Sequence, residues 1–229
     1  MHLEWHKACE RKPKRMKTIP SLALVASALF AVASVQAAAV AFASRASFVS
    51  TYPGASVENW DSYAVGTTVA NGASLGGITY NSSTGISIVT SQFLTSTGAN
   101  GLGRTPTEFF DVADQITFTF GSALTAFGID INTFATTNGA YSLTTNTGEV
   151  IASVFDPFAN ANTGQFAGFV SNVAFTSVTV KSLSDVYSLD TLRFVTANGG
   201  GGRTPDGGLT IALFGSAFAA LLAFRRKLA

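Results

Sequence analysis

Residues 114–134 read DQITFTFGSALTAFGIDINTF. In the first part Ile116, Phe118 and Phe120 alternate with polar residues; in the second Phe127, Ile129 and Ile131 alternate with Gly128, Asp130 and Asn132. Successive strand residues point to opposite faces, so this period of two predicts half-buried β-strands with the apolar set inward. The same composition recurs in GGITY (76–80), GISIVTS (85–91), AYSLTTNTGEVIASVF (140–155), FAGFVS (166–171), FTSVTVKS (175–182) and YSLDTLRFV (187–195). TTNTGEV supplies a glycine-containing hairpin turn between two such runs. Roughly eight or nine short strands, close turn signals and no helical period outside the termini predict a single antiparallel β-sandwich or jelly roll. No repeat at solenoid or propeller spacing is present.

The chain has 229 residues, 47% hydrophobic and only 12% charged, enough for one ordinary domain with accessory segments. Its formal charge of +1 averages unlike parts: between Ala38 and Thr204 ten acids face five cations, while both ends are basic. An acidic middle lacks the clustered cations that meet phosphates, so nucleic acid is excluded as a partner.

The front end, RKPKRMKTIPSLALVASALFAVASVQAAAVAFA, runs from a basic cluster through an apolar stretch to small residues, with Val35 and Ala37 at the −3 and −1 positions of a cleavage site. Residues 1–37 therefore read as a leader and secretory signal helix handled by signal peptidase and the general secretion machinery, with Met16 a second candidate start. An uncleaved anchor is the competing reading. Cys9, His2 and His6 all lie in this leader, so a chain beginning at Ala38 has no thiol and no imidazole. Disulfides, thiolate nucleophiles, the usual zinc sites and Ser-His-Asp hydrolysis all require one of those groups. What remains is the chemistry of carboxylates, hydroxyls and amides: paired-acid glycoside hydrolysis, calcium coordination or sugar binding.

After Val195 the composition changes. TANGGGGRT (196–204) is a glycine-rich linker, and Pro205-Asp206-Gly207-Gly208 is a turn signal. Leu209 to Phe224 is an apolar run that predicts a marginal transmembrane helix, closed by Arg225, Arg226 and Lys227 as the membrane stop. Keeping both basic ends in the cytoplasm places the acidic middle outside.

This order of turn, apolar run and terminal cations over residues 203–227 resembles the PEP-CTERM protein-sorting signal, in the variants with a V-P-D-[SG]-G-like box. Here the box is Thr204, Pro205, Asp206, Gly207 and Gly208, with Thr204 where the family usually has Val and Leu209 where a hydroxyl residue is common. The resemblance implies an exosortase-type processing enzyme as partner and transit through the inner membrane of a Gram-negative bacterium that makes exopolysaccharide. A permanent membrane anchor is the competing reading of the tail. The layout of residues 55–195 is similar to the passenger domains of such proteins, which implies a jelly roll of the galactose-binding-like or carbohydrate-binding-module kind.

Within 38–195 the candidate metal ligands are Glu58 and Asp61 near the start and Asp190 in the last strand, because first and last strands of a sandwich often adjoin. Calcium takes carboxylate oxygens, which makes structural calcium the cofactor expectation; the alternative leaves these acids in solvent. The candidate glycan contacts are Trp60, Tyr63 and Tyr141, with a core role as their alternative. Asp111 and Asp114 read as a solvated loop before a strand. No acid pair sits in a catalytic motif, and the expectation is a non-catalytic, exported protein of the cell envelope, surface or extracellular matrix. A lectin-like module is the first alternative and a carboxylate-dependent glycoside hydrolase the second.

Overall fold

The computed structural model of the protein describes residues 38–83, 85–159 and 161–197. The signal-cleavage residues Val35 and Ala37, the sorting box 204–208, the apolar run 209–224 and the stop at 225–227 lie outside the described residues. Among the described residues no helix is long and apolar enough to cross a membrane.

Strand β1 (Ala39–Ala41) leads into a seven-residue helix, α1 (Arg45–Thr51). Short strands follow: β2 (Ser56–Glu58), β3 (Thr68–Val69), β4 (Ser74–Leu75), β5 (Ile78–Ser82), β6 (Ser87–Thr90) and β7 (Gly101–Arg104). Then come β8 (Gln115–Asn132), β9 (Tyr141–Thr145), β10 (Val150–Ala152), β11 (Val154–Phe155), β12 (Gln165–Ser182) and β13 (Ser188–Thr196). Every pairing is antiparallel. The all-β, antiparallel architecture expected from the period of two is thus present.

The two 18-residue strands, β8 and β12, organise the fold. The first half of β8 pairs with β5 on one side and with the second half of β12 on the other, and β9 and β10 continue beyond β12. The second half of β8 pairs with β13 and with the first half of β12, and β7, β6 and β3 continue beyond β13. Six or seven residues of straight strand span roughly 20–23 Å, yet the rings of Phe120 and Phe127 lie 6.1 Å apart, and those of Phe169 and Phe175 5.1 Å. Both strands therefore turn a corner, at Gly121-Ser122-Ala123 and at 171–174, where register shifts mark the bend in β12. The two halves then face each other across one core containing Trp60, Tyr80, Phe118, Phe127, Phe169 and Leu189. The sequence breaks at 121–123 and 171–174 read as ends of separate strands; in the structure they are corners within continuous ones.

The second half of β8 departs from half-burial. From Ala126 to Ile131 every residue is buried, Gly128 and Asp130 included. The covering element is α1, a helix that the β-rich reading did not anticipate. Its signal is local: Ser44 caps it, accepting from the Ser47 N–H at 3.1 Å while the Ser47 hydroxyl accepts from the Ser44 N–H at 3.2 Å. Phe48 and Tyr52 of α1 pack with Phe166 and Ala126 into a second apolar cluster on the outer face. Gly128 and Gly168 stand opposite each other in register beneath Phe48 and Phe166. A Cβ on Gly168 would sit 2.4 Å from the Phe166 ring, so this face has room for the rings only because these positions lack side chains.

Candidate functional site

Residues two apart on a strand share a face. Asp130 and Asn132 of β8 therefore lie on the same side, cross-paired with Asp190 and Ser188 of β13. This polar row occupies the outer face, and the segment 92–100 lies along it. The Asp190 Oδ2 atom accepts from the backbone N–H groups of Ser96 (2.6 Å) and Thr97 (2.9 Å) and from the Ser96 hydroxyl (2.8 Å). The same hydroxyl contacts Asp130 Oδ2. At the far end of the segment Asp61 Oδ1 accepts from the N–H groups of Ala99 (2.8 Å) and Asn100 (2.9 Å).

Asp130, fully buried, is balanced by Arg45 of α1, whose Nε donates to Oδ1 at 2.7 Å, and by Arg193 Nη1 at 3.4 Å from Oδ2. Arg45 also approaches Asp156, so three carboxylates meet two guanidiniums in this cluster. Burial pushes the Asp130 carboxyl above its ordinary range against the pull of Arg45, Ser96 and Arg193. Burial also raises Asp190, opposed by hydrogen bonds from Thr97, Ser96 and Thr191, while the neighbouring Asp130 adds to the rise. Asp130 and Asp190 are 0% and 1% exposed, so a substrate reaches neither; the pair does not form the open, flanking arrangement that glycoside hydrolysis uses.

The polar row ends at a cleft. Its walls come from the start of the 92–100 segment, the end of β8 and the residues leading into β13, and its volume is about 180 Å³. Phe93 and Phe109 form one wall, edge to face with centroids 5.9 Å apart. Leu94 and Phe134 form the rim and are 58% and 78% exposed. Between them lie the amides of Gln92 and Asn132 and the hydroxyls of Thr163 and Ser188. Asn132 Nδ2 donates to Ser188 Oγ at 3.3 Å, and its amide oxygen has no hydrogen bond among the described residues. Thr163 Oγ1 is buried without a hydrogen-bond partner among the described residues. Among the described residues no acid, lysine or arginine lines the cleft. The loop that carries Phe134 is tied to the sheet by hydrogen bonds. Gln165 Nε2 donates to the carbonyls of Ala135 (3.0 Å) and Thr137 (2.9 Å), and Tyr141 OH donates to Thr133 Oγ1 at 2.5 Å.

The residues proposed from sequence fall elsewhere. Trp60 and Tyr141 are fully buried and present no ring face to a glycan. Trp60 donates its Nε1–H to Tyr80 OH at 3.0 Å, and burial pushes the Tyr141 hydroxyl up to about 12. Tyr63 packs half-buried on the core and donates to Glu58 Oε2 at 3.2 Å. β2, which carries Glu58, adjoins β13 with Glu58 opposite Leu192, whereas the first strand, β1, pairs with β12. The three acids are nonetheless separately occupied, Glu58 by the Trp60 N–H and Tyr63 and the two aspartates by segment 96–100. No group of three or more metal-ligating side chains converges among the described residues. Asp114, expected in a solvated loop, is instead 3% exposed, ion-paired with Arg104 Nε at 2.7 Å and accepting from the Asp111 N–H. The sequence carries a signal for the cleft in Phe93 and Phe134, aromatics beside Gln92 and Thr133 that follow the ends of β6 and β8 by three and two residues.

No protein-family model matches the chain, and no curated protein matches it in sequence. Among solved structures it is similar to the catalytic unit of the thermostable GH87 alpha-1,3-glucanase from Streptomyces thermodiastaticus strain HF3-3, at 13% identity and a TM-score of 0.35. The likeness covers 67% of this chain and 28% of that one, so the chain spans less than a third of that protein's length.

Proposed function

We propose that this chain is an exported, non-catalytic β-domain that a Gram-negative cell places at its surface or in its exopolysaccharide matrix. The observation that carries the reading is the terminal order Thr204-Pro205-Asp206-Gly207-Gly208, apolar 209–224, Arg225-Arg226-Lys227, matched at the other end by a basic-then-apolar leader ending at Val35 and Ala37. Signal peptidase, an exosortase-type enzyme and, transiently, the inner membrane are the partners. The passenger between the signals belongs in this reading with galactose-binding-like or carbohydrate-binding-module jelly rolls. Two features are compatible with it: β1 begins at Ala39, so a cut after Ala37 leaves the sheet whole, and the Asp130 and Asp190 carboxyls are sealed from solvent.

Intact mass measurement of the protein recovered from its host, with envelope and medium separated, tests this. The expected species begins at Ala38 and ends between Pro205 and Gly208. A species that retains LTIALFGSAFAALLAFRRKLA would remove the sorting reading in favour of an anchor. The lectin-like reading draws its support from the cleft.

A further inference from the structure

We propose that the cleft beside β8 and β13 binds one ring of a neutral saccharide, with Phe134 as the stacking face and Asn132, Ser188 and Gln92 as partners for its hydroxyls. The inference rests on the matrix role above only for where the ligand is met; the binding itself is a property of the cleft.

The lining decides the occupant. An anionic ligand would be desolvated there with no counter-ion, because among the described residues no lysine or arginine lines the walls and the nearest charges behind them are the carboxylates of Glu108 and Asp185, bonded to Gln92 and Thr133. A purely apolar occupant would cover the rim but leave the Asn132 amide oxygen without a partner, at about 1–3 kcal/mol once that group is buried. A sugar ring has an apolar C–H face and a hydroxyl edge, which match an aromatic rim backed by amides and hydroxyls. The volume of about 180 Å³ falls below the roughly 300–1,000 Å³ of drug-sized sites, which fits one ring of a chain that continues into solvent. The backbone on either side of Phe134 is already held by Gln165 and Tyr141, so binding needs little ordering of the loop itself.

The test is electrophoresis of the full chain through gels containing dextran, galactomannan or soluble cellulose derivatives without charge, with alginate as the anionic comparison. At least one neutral polymer is expected to retard the protein. Phe134→Ala is expected to weaken that retardation about tenfold or more, as loss of a central aromatic contact does, with an unchanged melting temperature because the ring is 78% exposed. Leu94→Ser, at the opposite rim, is expected to act in the same direction. Retardation by alginate alone, or retardation indifferent to Phe134→Ala, would overturn the proposal. So would a dimer in sedimentation that Phe134→Ala abolishes, since the rim would then be a self-association face. If no neutral gel retards a protein whose mass shows both processing events, the cleft proposal falls and the export reading stands.

Discussion

The hydroxyl of Ser96 lies between Asp130 and Asp190 and has one hydrogen for two carboxylates. With Asp156 the cluster also holds one negative charge more than Arg45 and Arg193 neutralise. Both facts favour a retained proton, and burial raises both carboxyls above their ordinary range. The folded state then binds more protons than the unfolded one. The resulting stabilisation is fully present below the unfolded carboxylate pKa of about 4 and is lost as pH rises through the folded values. The urea midpoint is therefore expected to fall on going from about pH 4 upward, with a shallower slope in Asp190→Asn; a midpoint that climbs with pH in the native chain would contradict this. Arg45→Met leaves Asp130 with the more distant Arg193 and is expected to cost about 3 kcal/mol at neutral pH, read by urea unfolding. The cost should shrink at acid pH, where Asp130 is protonated. None of this was legible in AFGIDIN, where alternation alone sends Asp130 to solvent; its partners Arg45, Ser96 and Arg193 are 85, 34 and 63 residues away in sequence.

At the scale of elements, α1 converts a one-sided sheet into a two-sided one. The helix owes its existence to a cap and its position to Phe48, which lies over the paired Gly128 and Gly168. Gly168→Ala introduces a Cβ within 2.4 Å of the Phe166 ring in a packed cluster and is expected to lower stability by about 1–3 kcal/mol, measured by thermal melting. Phe166→Leu in the same chain should recover part of that loss, because the two changes share one space; full additivity would show that the clash is relieved elsewhere. The hairpin between β9 and β10 was readable from TTNTGEV, since turn residues and alternation there are local. The continuity of β8 through Gly121-Ser122-Ala123 was not, since small residues mark strand ends and strand corners alike.

At the scale of the molecule, β8 and β12 run through both halves of the sheet and share a single main core, so neither half has a separate set of contacts on which to stand. One cooperative unfolding transition is expected for the chain beginning at Ala38, in which Trp60 is the single tryptophan, with its emission and the far-ultraviolet circular dichroism changing together along a urea gradient. Separate midpoints for the two signals would mean that the halves melt independently. Trp60 suits this purpose because it is fully buried, and for the same reason its emission is expected to ignore added sugars, leaving Phe134 and its neighbours to report on the cleft.

By itself the sequence determined the antiparallel all-β class, most strand positions, and the exclusion of thiol and imidazole chemistry between residues 38 and 197. Those depend on alternation, turn residues and composition, which are properties of neighbours along the chain. Only the tertiary structure decided that Trp60 and Tyr141 are core, that Asp130 and Asp190 are buried against each other, and that Phe93, Leu94, Phe109 and Phe134 meet at one cleft. The physical reason is that a strand pattern tells which residues share a face, whereas what covers that face, here α1 and the 92–100 segment, is set by packing between residues far apart in the chain.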